Sequence, residues 1–535
     1  SRGLGDVYKR QIYGFYKYYK ADDRQAYADV MANINKRFGD LSLSANIGGS
    51  FTQTYYDERG FQGGLKDMSN VFSLYNMTTT LDKDTYPIES GYKQRTNSIF
   101  ASVEIGWKSM LYMTLTGRND WDSALINTEQ SSFFYPSIGL SGVISEMVKL
   151  PKAITYLKVR GSFASVGAPI PKNLSSNKTY EWDPATSQWK LQTYRPLPKL
   201  YPERTNSWEA GLNAKFFNNS LSLEVTWYKA NTRKQTFQVP LSGTAVYATM
   251  YAQSGNIENK GMEFSLGYNK SWGDFSWNSN LTFSFNKNKI VELLDDAVDD
   301  EGNHYSLNEI DKGGIGSAKV ILRKGGSMGD MYVTNRLKRD NEGNVYIDKA
   351  SQNVKKEDIK NSDEFIHIGS VLPKSNLGFR NDFSYKGISL GFMLAARFGG
   401  IVISPTQAVM DQFGVSKVTA LARDNEGVPV NNGKVDPQTY YTEVGGISGL
   451  MSNYVYSATN VRLQELSVGY SLPAKWFNNK CNLSLSITGH NLWMIYNKAP
   501  FDPEATASTG TYYQGVDYFM QPSLRSWGFN VKIQF

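Results

Sequence analysis

Three histidines, His304, His367 and His490, and one cysteine, Cys481, are all the imidazole and thiol that the chain possesses. They lie far apart in different contexts, and one thiol makes neither an internal disulfide nor a thiolate metal cluster. No HExxH, CxxC, G-x-S-x-G or GxxxxGK[ST] pattern is present, so zinc hydrolysis, nucleophilic acyl transfer and P-loop chemistry have no candidate residues. Gly313 to Ser317 (GGIGS) lacks the third glycine of a dinucleotide loop and opens no helix; it reads as a loop. The expectation is a protein without catalysis and without a cofactor.

Two acidic runs could hold a hard cation. One contains Asp295, Asp296, Asp299, Asp300 and Glu301; the other contains Asp340, Asn341, Glu342, Asn344 and Asp348. Neither keeps the D-x-[DN]-x-[DN]-G-x5-E register, so calcium is only an option and hairpin turns are the simpler reading. Aromatic residues among Asp, Asn and Gln are better candidates for ligand contact: Tyr180, Trp182, Trp189, Tyr194, Tyr440, Tyr441, Tyr454, Tyr512, Tyr513 and Tyr518. Rings stack on sugars while amides and carboxylates bond their hydroxyls, so this mixture suits an oligosaccharide; it also suits a peptide or a covering protein.

Strands must position these residues, because the chain alternates almost throughout. Trp527, Phe529, Val531, Ile533 and Phe535 share one face, with Ser526, Gly528, Asn530, Lys532 and Gln534 on the other. Leu41, Leu43, Ala45, Ile47 and Phe51 make another apolar row, as do Ile99, Ala101, Val103, Ile105 and Trp107. Further rows follow at Trp208 to Phe216, Leu221 to Trp227, Met262 to Leu266, Phe275 to Phe285, Ile388 to Phe398 and Leu483 to Ile487. The opposite faces carry mostly Ser, Thr, Asn and Gly rather than charges, and the rows run to about twice the usual soluble strand. About fifteen strands of this kind fit an antiparallel transmembrane β-barrel.

Composition agrees. Across 535 residues, 40% are hydrophobic and mean hydropathy is −0.43. No run reaches the roughly 18 apolar residues of a membrane helix, while a barrel strand needs only about 9–11, half of them facing water. The 57 Lys and Arg residues are scattered and the formal charge is +7, which argues against nucleic acid as a partner.

The links alternate in length. Short ones at Arg37 to Asp40, Lys108-Ser109, Phe217 to Asn219, Trp272 to Asp274, Lys386-Gly387 and Asn478 to Lys480 are periplasmic turns. Long ones at Gln53 to Thr96, Ser165 to Thr205, Lys287 to Pro373, Gly400 to Ala458 and Met494 to Pro522 are extracellular loops. Trp107, Tyr112, Phe216, Phe217, Trp272, Tyr385, Trp476, Phe477 and Phe535 crowd the short-turn rim, where an interfacial aromatic belt belongs.

Several stretches resemble the SusC/RagA family of TonB-dependent outer-membrane transporters. GNIENKGMEFSL (Gly255 to Leu266) is similar to the family's N-K-G-x-E turn and strand, with Gln253 standing where Asn is more usual. VRLQELSVGYSLP (Val461 to Pro473), GHNLW (Gly489 to Trp493), FDPEA (Phe501 to Ala505) and the closing QPSLRSWGFNVKIQF follow in the family's order. Tyr201 to Arg233 and Phe133 to Glu146 fit the same pattern. These motifs read first as barrel geometry: φ > 0 is useful at Gly255 and Gly261, Glu263 points into the lumen, and Pro473 ends a strand at the periplasmic rim.

The resemblance implies a roughly 22-stranded barrel around an N-terminal plug. Residues 1–11 show no periodicity and read as a non-native scar, and residues 12–535 as the C-terminal part of the barrel, without plug or first strands. It further implies the outer membrane of a Gram-negative bacterium, membrane lipid around the barrel, a SusD-like surface lipoprotein, and the TonB–ExbB–ExbD machinery acting through the plug. The expected function is active import of a large nutrient, an oligosaccharide or a peptide. The alternative is a non-transporting receptor or adhesin on the same barrel.

Overall fold

The computed structural model describes residues 14–78, 85–126, 128, 130–170, 174, 180–183, 188–191, 194–195, 201–240, 249–298, 304–478, 480–508, 510 and 514–535. Residues 1–11 therefore lie outside the described set.

Fifteen strands follow one another through a single antiparallel sheet in chain order. They are β1 (Phe15–Phe38), β2 (Leu41–Gly64), β3 (Tyr86–Trp107), β4 (Leu111–Asp122), β5 (Ser132–Val143), β6 (Ile154–Ala168), β7 (Glu203–Phe216) and β8 (Leu221–Pro240). Then come β9 (Thr249–Trp272), β10 (Phe275–Glu292), β11 (Ser375–Tyr385), β12 (Ile388–Phe398), β13 (Asn460–Ser471), β14 (Asn482–Asn497) and β15 (Ser526–Gln534). A short strand, Tyr194–Arg195, adds in parallel to β9. β1 and β15 form the two edges of the sheet.

Register keeps the apolar rows on one side. Leu485 faces Val531 and Tyr470, Ile487 faces Phe529 and Val468, and Leu390 faces Phe383 and Val468. This side is open to its surroundings: Val30 is 80% exposed and Phe529 65%. A water-soluble sheet buries such a face, so this one is built for hydrocarbon. The predicted short links at 37–40, 108–109, 217–219, 272–274 and 386–387 are tight turns, whereas the one expected at Asn478 to Lys480 belongs to a longer link after β13 that contains a 3-10 helix, Ala474–Phe477. Lys386 and Gly387 both have positive φ between the paired Tyr385 and Ile388, a two-residue hairpin whose twist matches its strands; Lys108 and Ser109 do the same, with Met110 as a third residue before the Trp107–Leu111 pair closes. The belt residues Trp107, Phe217, Trp272, Tyr385 and Trp476 are exposed at this rim. Tyr112 is not among them; it falls on the polar face, opposite Gly106 and Ser141.

The long-loop side differs from the sequence reading. β2 continues to Gly64 and β3 starts at Tyr86, so much of the expected loop from Gln53 to Thr96 is paired strand. At 24 residues, β2 spans about 80 Å, far more than hydrocarbon requires. Its upper half stands in water and is polar on both faces, so the alternation that marks lipid contact fades there.

The remaining loops are folded rather than open. Glu309–Ile315, Ala318–Arg323, Asp330–Val333 and Ile366–Ser370 form a four-stranded sheet. Residues 399–459 contain three helices: α1 (Pro405–Gln412), α2 (Lys417–Asp424) and α3 (Pro437–Val444). Ser404, Ser416 and Asp436 cap their N-termini by accepting a backbone N–H three residues on, and Pro405 and Pro437 take the first-turn position. Ile290 near the end of β10, Val320 and Leu322 of the loop sheet, and Ile403, Met451 and Val516 of later segments share one buried core. Ile403 and Val516 bridge in parallel, tying residues 498–525 to the rest.

Candidate functional site

The polar faces of β6 to β11 form an open recess of about 710 Å³ in the lumen wall. Alternation places Arg160, Glu209, Glu224, Thr226, Tyr228 and Glu263 there, one strand after another. Arg160 donates from Nη1 to Glu224 Oε1 (2.9 Å) and Asn213 Oδ1 (3.1 Å), and from Nη2 to Thr226 Oγ1 (2.6 Å). Both charges of that pair remain substantially exposed, so it orients side chains more than it stabilises the sheet. Glu263 lies between Thr226 and Ser284 on the polar face, as its place in the motif implies.

The same motif corrects one reading. Residues 249–272 run as a single strand, so Gly255 and Gly261 do not flank a turn. Gly255 has φ +92° beside a register shift at Asn256/Ile257 and uses the freedom of glycine. Gly261 has no such φ. It is small because Tyr228 crosses over it to donate to Asn286 Oδ1 (3.1 Å); a Cβ there would lie 2.7 Å from the phenol oxygen and 2.0 Å from the carbonyl of Phe285. Asn259 accepts from Asn286 and Asn288, and Glu258 sits between Lys229 (3.0 Å) and Lys260 (3.4 Å). Glu258 and Asn259 are thus engaged with the neighbouring strands, and Lys260 with Glu258 on its own strand.

The C-terminal motifs converge on Arg462. Its guanidinium, 6% exposed, grips Asp502 with Nη1 to Oδ2 at 3.1 Å and Nη2 to Oδ1 at 2.9 Å, and Nη2 lies 2.9 Å from Glu504 Oε2. Asn460 and Asn491 accept further N–H bonds from it. Burial pushes the Asp502 carboxyl up, but hydrogen bonds from Arg462 and Ser523 outweigh it and hold the group below its ordinary range. Thus VRLQEL, GHNLW and FDPEA form one polar joint between β13, β14 and the last loop. Pro473 follows β13, whose last residue is Ser471, as expected.

Among the described residues, the aromatic candidates are spread over several places. Tyr180, Trp182 and Trp189 belong to a hairpin, Tyr180–Asp183 with Gln188–Leu191, in which Trp182 pairs with Trp189 and both Tyr180 and Trp189 are exposed. Tyr194 lies in the short strand beside β9. Tyr440 and Tyr441 meet edge-on at 5.2 Å and pack on a core of Val354, Val444 and Leu450. Tyr454 is 3% exposed inside the main loop core, where burial and Asp411 push its phenol up. Tyr518 is exposed beside Phe519, 5.2 Å between ring centroids. Tyr512 and Tyr513 lie outside the described residues.

Of the two acidic runs, Asp299, Asp300 and Glu301 lie outside the described residues, while Asp295 and Asp296 fall in the strand Leu294–Val298. In the other run, Asp340 Oδ1 accepts the amides of Glu342 (2.9 Å) and Asn344 (3.0 Å), and Asp348 Oδ2 accepts from Ser351; both build turns. Sequence reasoning missed a second lumenal network: Arg118 bonds Asp120 (2.7 Å) and Ser98 (2.7 Å), with Tyr135 on the far oxygen of Asp120. Charges on the polar face of the T-G-R-N-D-W-D strand were its available signal.

An antiparallel sheet with a lipid-facing side, a polar lumenal side and a folded long-loop rim is the architecture of an outer-membrane barrel receptor. The family model described as TonB dependent receptor-like, beta-barrel matches residues 2–317, more than half of the chain, and the chain belongs to that family. TonB-dependent receptor P3 of Formosa agariphila is 26% identical over 541 residues, covering 94% of this chain and 51% of the relative. TonB-dependent receptor SusC of Bacteroides thetaiotaomicron is 23% identical over 470 residues, covering 82% of this chain and 43% of that one. The structure of the RagAB peptide transporter shares the fold, with a TM-score of 0.71 at 19% identity, covering 97% of this chain and 55% of that chain. The chain spans about half the length of the curated relatives it matches. Receptor barrels of this family are outer-membrane proteins of Gram-negative bacteria, and the SusC/RagA resemblance of the motifs agrees with these relatives.

Proposed function

We propose that the chain supplies the lumen wall and the extracellular recognition body of an importer that carries a large nutrient, an oligosaccharide or a peptide, across the outer membrane. The import is TonB-dependent: TonB–ExbB–ExbD acts through a plug in the lumen, and a SusD-like surface lipoprotein works at the long-loop rim. One observation carries this reading. The long loops bury a core of their own at one rim, and the wall below is lined by hydroxyls, amides and charged groups suited to a hydrated, hydrogen-bonding cargo. The exposed Tyr180 and Trp189 add ring surfaces for stacking.

The test is uptake by cells carrying the full-length gene. A fluorescent oligosaccharide pool and a fluorescent peptide pool are supplied in parallel, with and without functional TonB. Accumulation of one pool that stops when TonB is removed is the expected result. Surface binding that is retained without any TonB-dependent accumulation would instead select the receptor or adhesin reading.

A further inference from the structure

The seven links on the short-turn rim, with the strand ends that flank them, carry a charge pattern that barrel closure does not require. Residues 36–40, 107–110, 144–153, 215–220, 270–274, 385–388 and 472–482 hold ten Lys and Arg against three Asp and Glu. That excess equals the formal +7 of the whole chain, so everything else is balanced. On the outer face of this rim, lysines lie over the aromatic belt. Lys36 Nζ is 5.4 Å from the Phe38 ring centroid, and Lys108 Nζ is 5.1 Å from that of Trp107. Lys270 lies 5.7 Å from Trp272, and Lys386 lies 5.4 Å from Tyr385. Lys36 and Lys270 belong to the lipid-facing row by register, opposite Leu43 and Trp277. Neither has a carboxylate partner among the described residues. Lys108 and Lys386 have only the exposed Asp40 (3.6 Å) and Asp274 (3.9 Å), pairs too open to neutralise them.

An aromatic belt marks the level where hydrocarbon meets headgroups. A lysine beside it runs its methylenes along the ring and brings its ammonium to phosphate depth. We propose that the short-turn rim is a binding belt for anionic phospholipid headgroups in the periplasmic leaflet, with these four lysines as its phosphate contacts. The proposal rests on the membrane-barrel reading for its orientation and is independent of what the barrel transports.

The full-length receptor, purified in mild detergent, is given equimolar phosphatidylglycerol and phosphatidylcholine, and bound lipid is counted by native mass spectrometry. The wild type retains phosphatidylglycerol in preference. The K36Q/K108Q/K270Q/K386Q variant loses that preference by about fivefold, the weight of one well-placed lysine at an anionic surface. The matching Lys→Arg variant keeps it, as does a control with Lys338, Lys349, Lys355 and Lys434 of the long loops changed to Gln. Heat-modifiable migration reports insertion separately, so a failed barrel is not mistaken for lost binding. If the fourfold variant does not insert, K108Q/K386Q is scored in the same way. Equal retention of both lipids by the wild type overturns the proposal. So does an equal loss in the loop control, or complete displacement by inorganic phosphate at constant ionic strength.

Discussion

The barrel wall and the folded loops use the same residue types in opposite ways. On the wall, Ile99, Ile487 and Val531 are each more than half exposed. Among the loops, Val320, Leu322, Ile403 and Met451 are sealed from any solvent. One chain thus solves two solvation problems: the wall hands its apolar surface to lipid, and the loops, standing in water, must bury theirs in a core. The two regions should therefore answer mutation differently.

The largest effect belongs to the joint between them. Arg462→Ala leaves the largely buried Asp502 carboxylate without its charged partner and should cost about 3–5 kcal/mol, exposing the last loop to protease while the barrel remains heat-modifiable. The same joint sets a pH dependence. The folded-state carboxyl of Asp502 is held below its unfolded value, so its contribution is complete above the unfolded range near pH 4 and fades as pH falls below it. Protease release of this loop should begin below about pH 4 in the wild type and show no such dependence in Arg462→Ala. Leu322→Ala comes next. It opens a cavity in the loop core, costs about 2–5 kcal/mol and should raise hydrogen exchange across the four-stranded sheet. If exchange there is unchanged, the loops do not share a core.

On the wall, the measure is polarity rather than volume. Leu485→Arg places a charge in hydrocarbon and should cost about 2–4 kcal/mol near mid-membrane, whereas its neighbour Ser486→Arg faces the lumen and is tolerated. Heat-modifiable migration of the two variants checks this, and equal damage would contradict the face assignment.

The same contrast explains what the sequence made legible. Fifteen strands, their turns and the sidedness of Leu485 or Trp527 followed from a period of two, because lipid reads each strand independently of its partners. The loop core was opaque because Ile290, Val320, Ile403 and Val516 come from separate segments, and no local period joins them. The helix starts S-P-T-Q, S-K-V-T and D-P-Q-T did carry capping signals, yet each helix spans only eight residues, too few to set up a pattern. For the site, Glu263 was placed correctly by alternation alone. Tyr454 was misjudged because an aromatic in a polar loop looks like a ligand contact until a core forms around it. Arg462 lay within a recognised motif, but its partner at Asp502 is 40 residues away and was visible only in three dimensions.

The smallest predicted effects separate a local cap from a link between loops. Ser416 Oγ accepts the Thr419 amide at 3.2 Å and serves α2 alone, so Ser416→Ala should cost about 1 kcal/mol and disturb only that helix. Ser404 does the same for α1, accepting from Gln407 at 3.0 Å, but its hydroxyl also donates to Asp517 Oδ2 at 2.6 Å. Asp517 is 6% exposed and belongs to the last loop. Ser404→Ala therefore removes the cap and one donor to a buried carboxylate, and should cost about 2–3 kcal/mol. Hydrogen exchange distinguishes the two. The backbone amide of Asp517, bonded to Ile403 O at 2.9 Å, should exchange faster in Ser404→Ala and at the wild-type rate in Ser416→Ala. Equal rates in both variants would mean that the last loop is held by the Arg462 joint and the apolar core alone, and that the serine cap contributes nothing across loops.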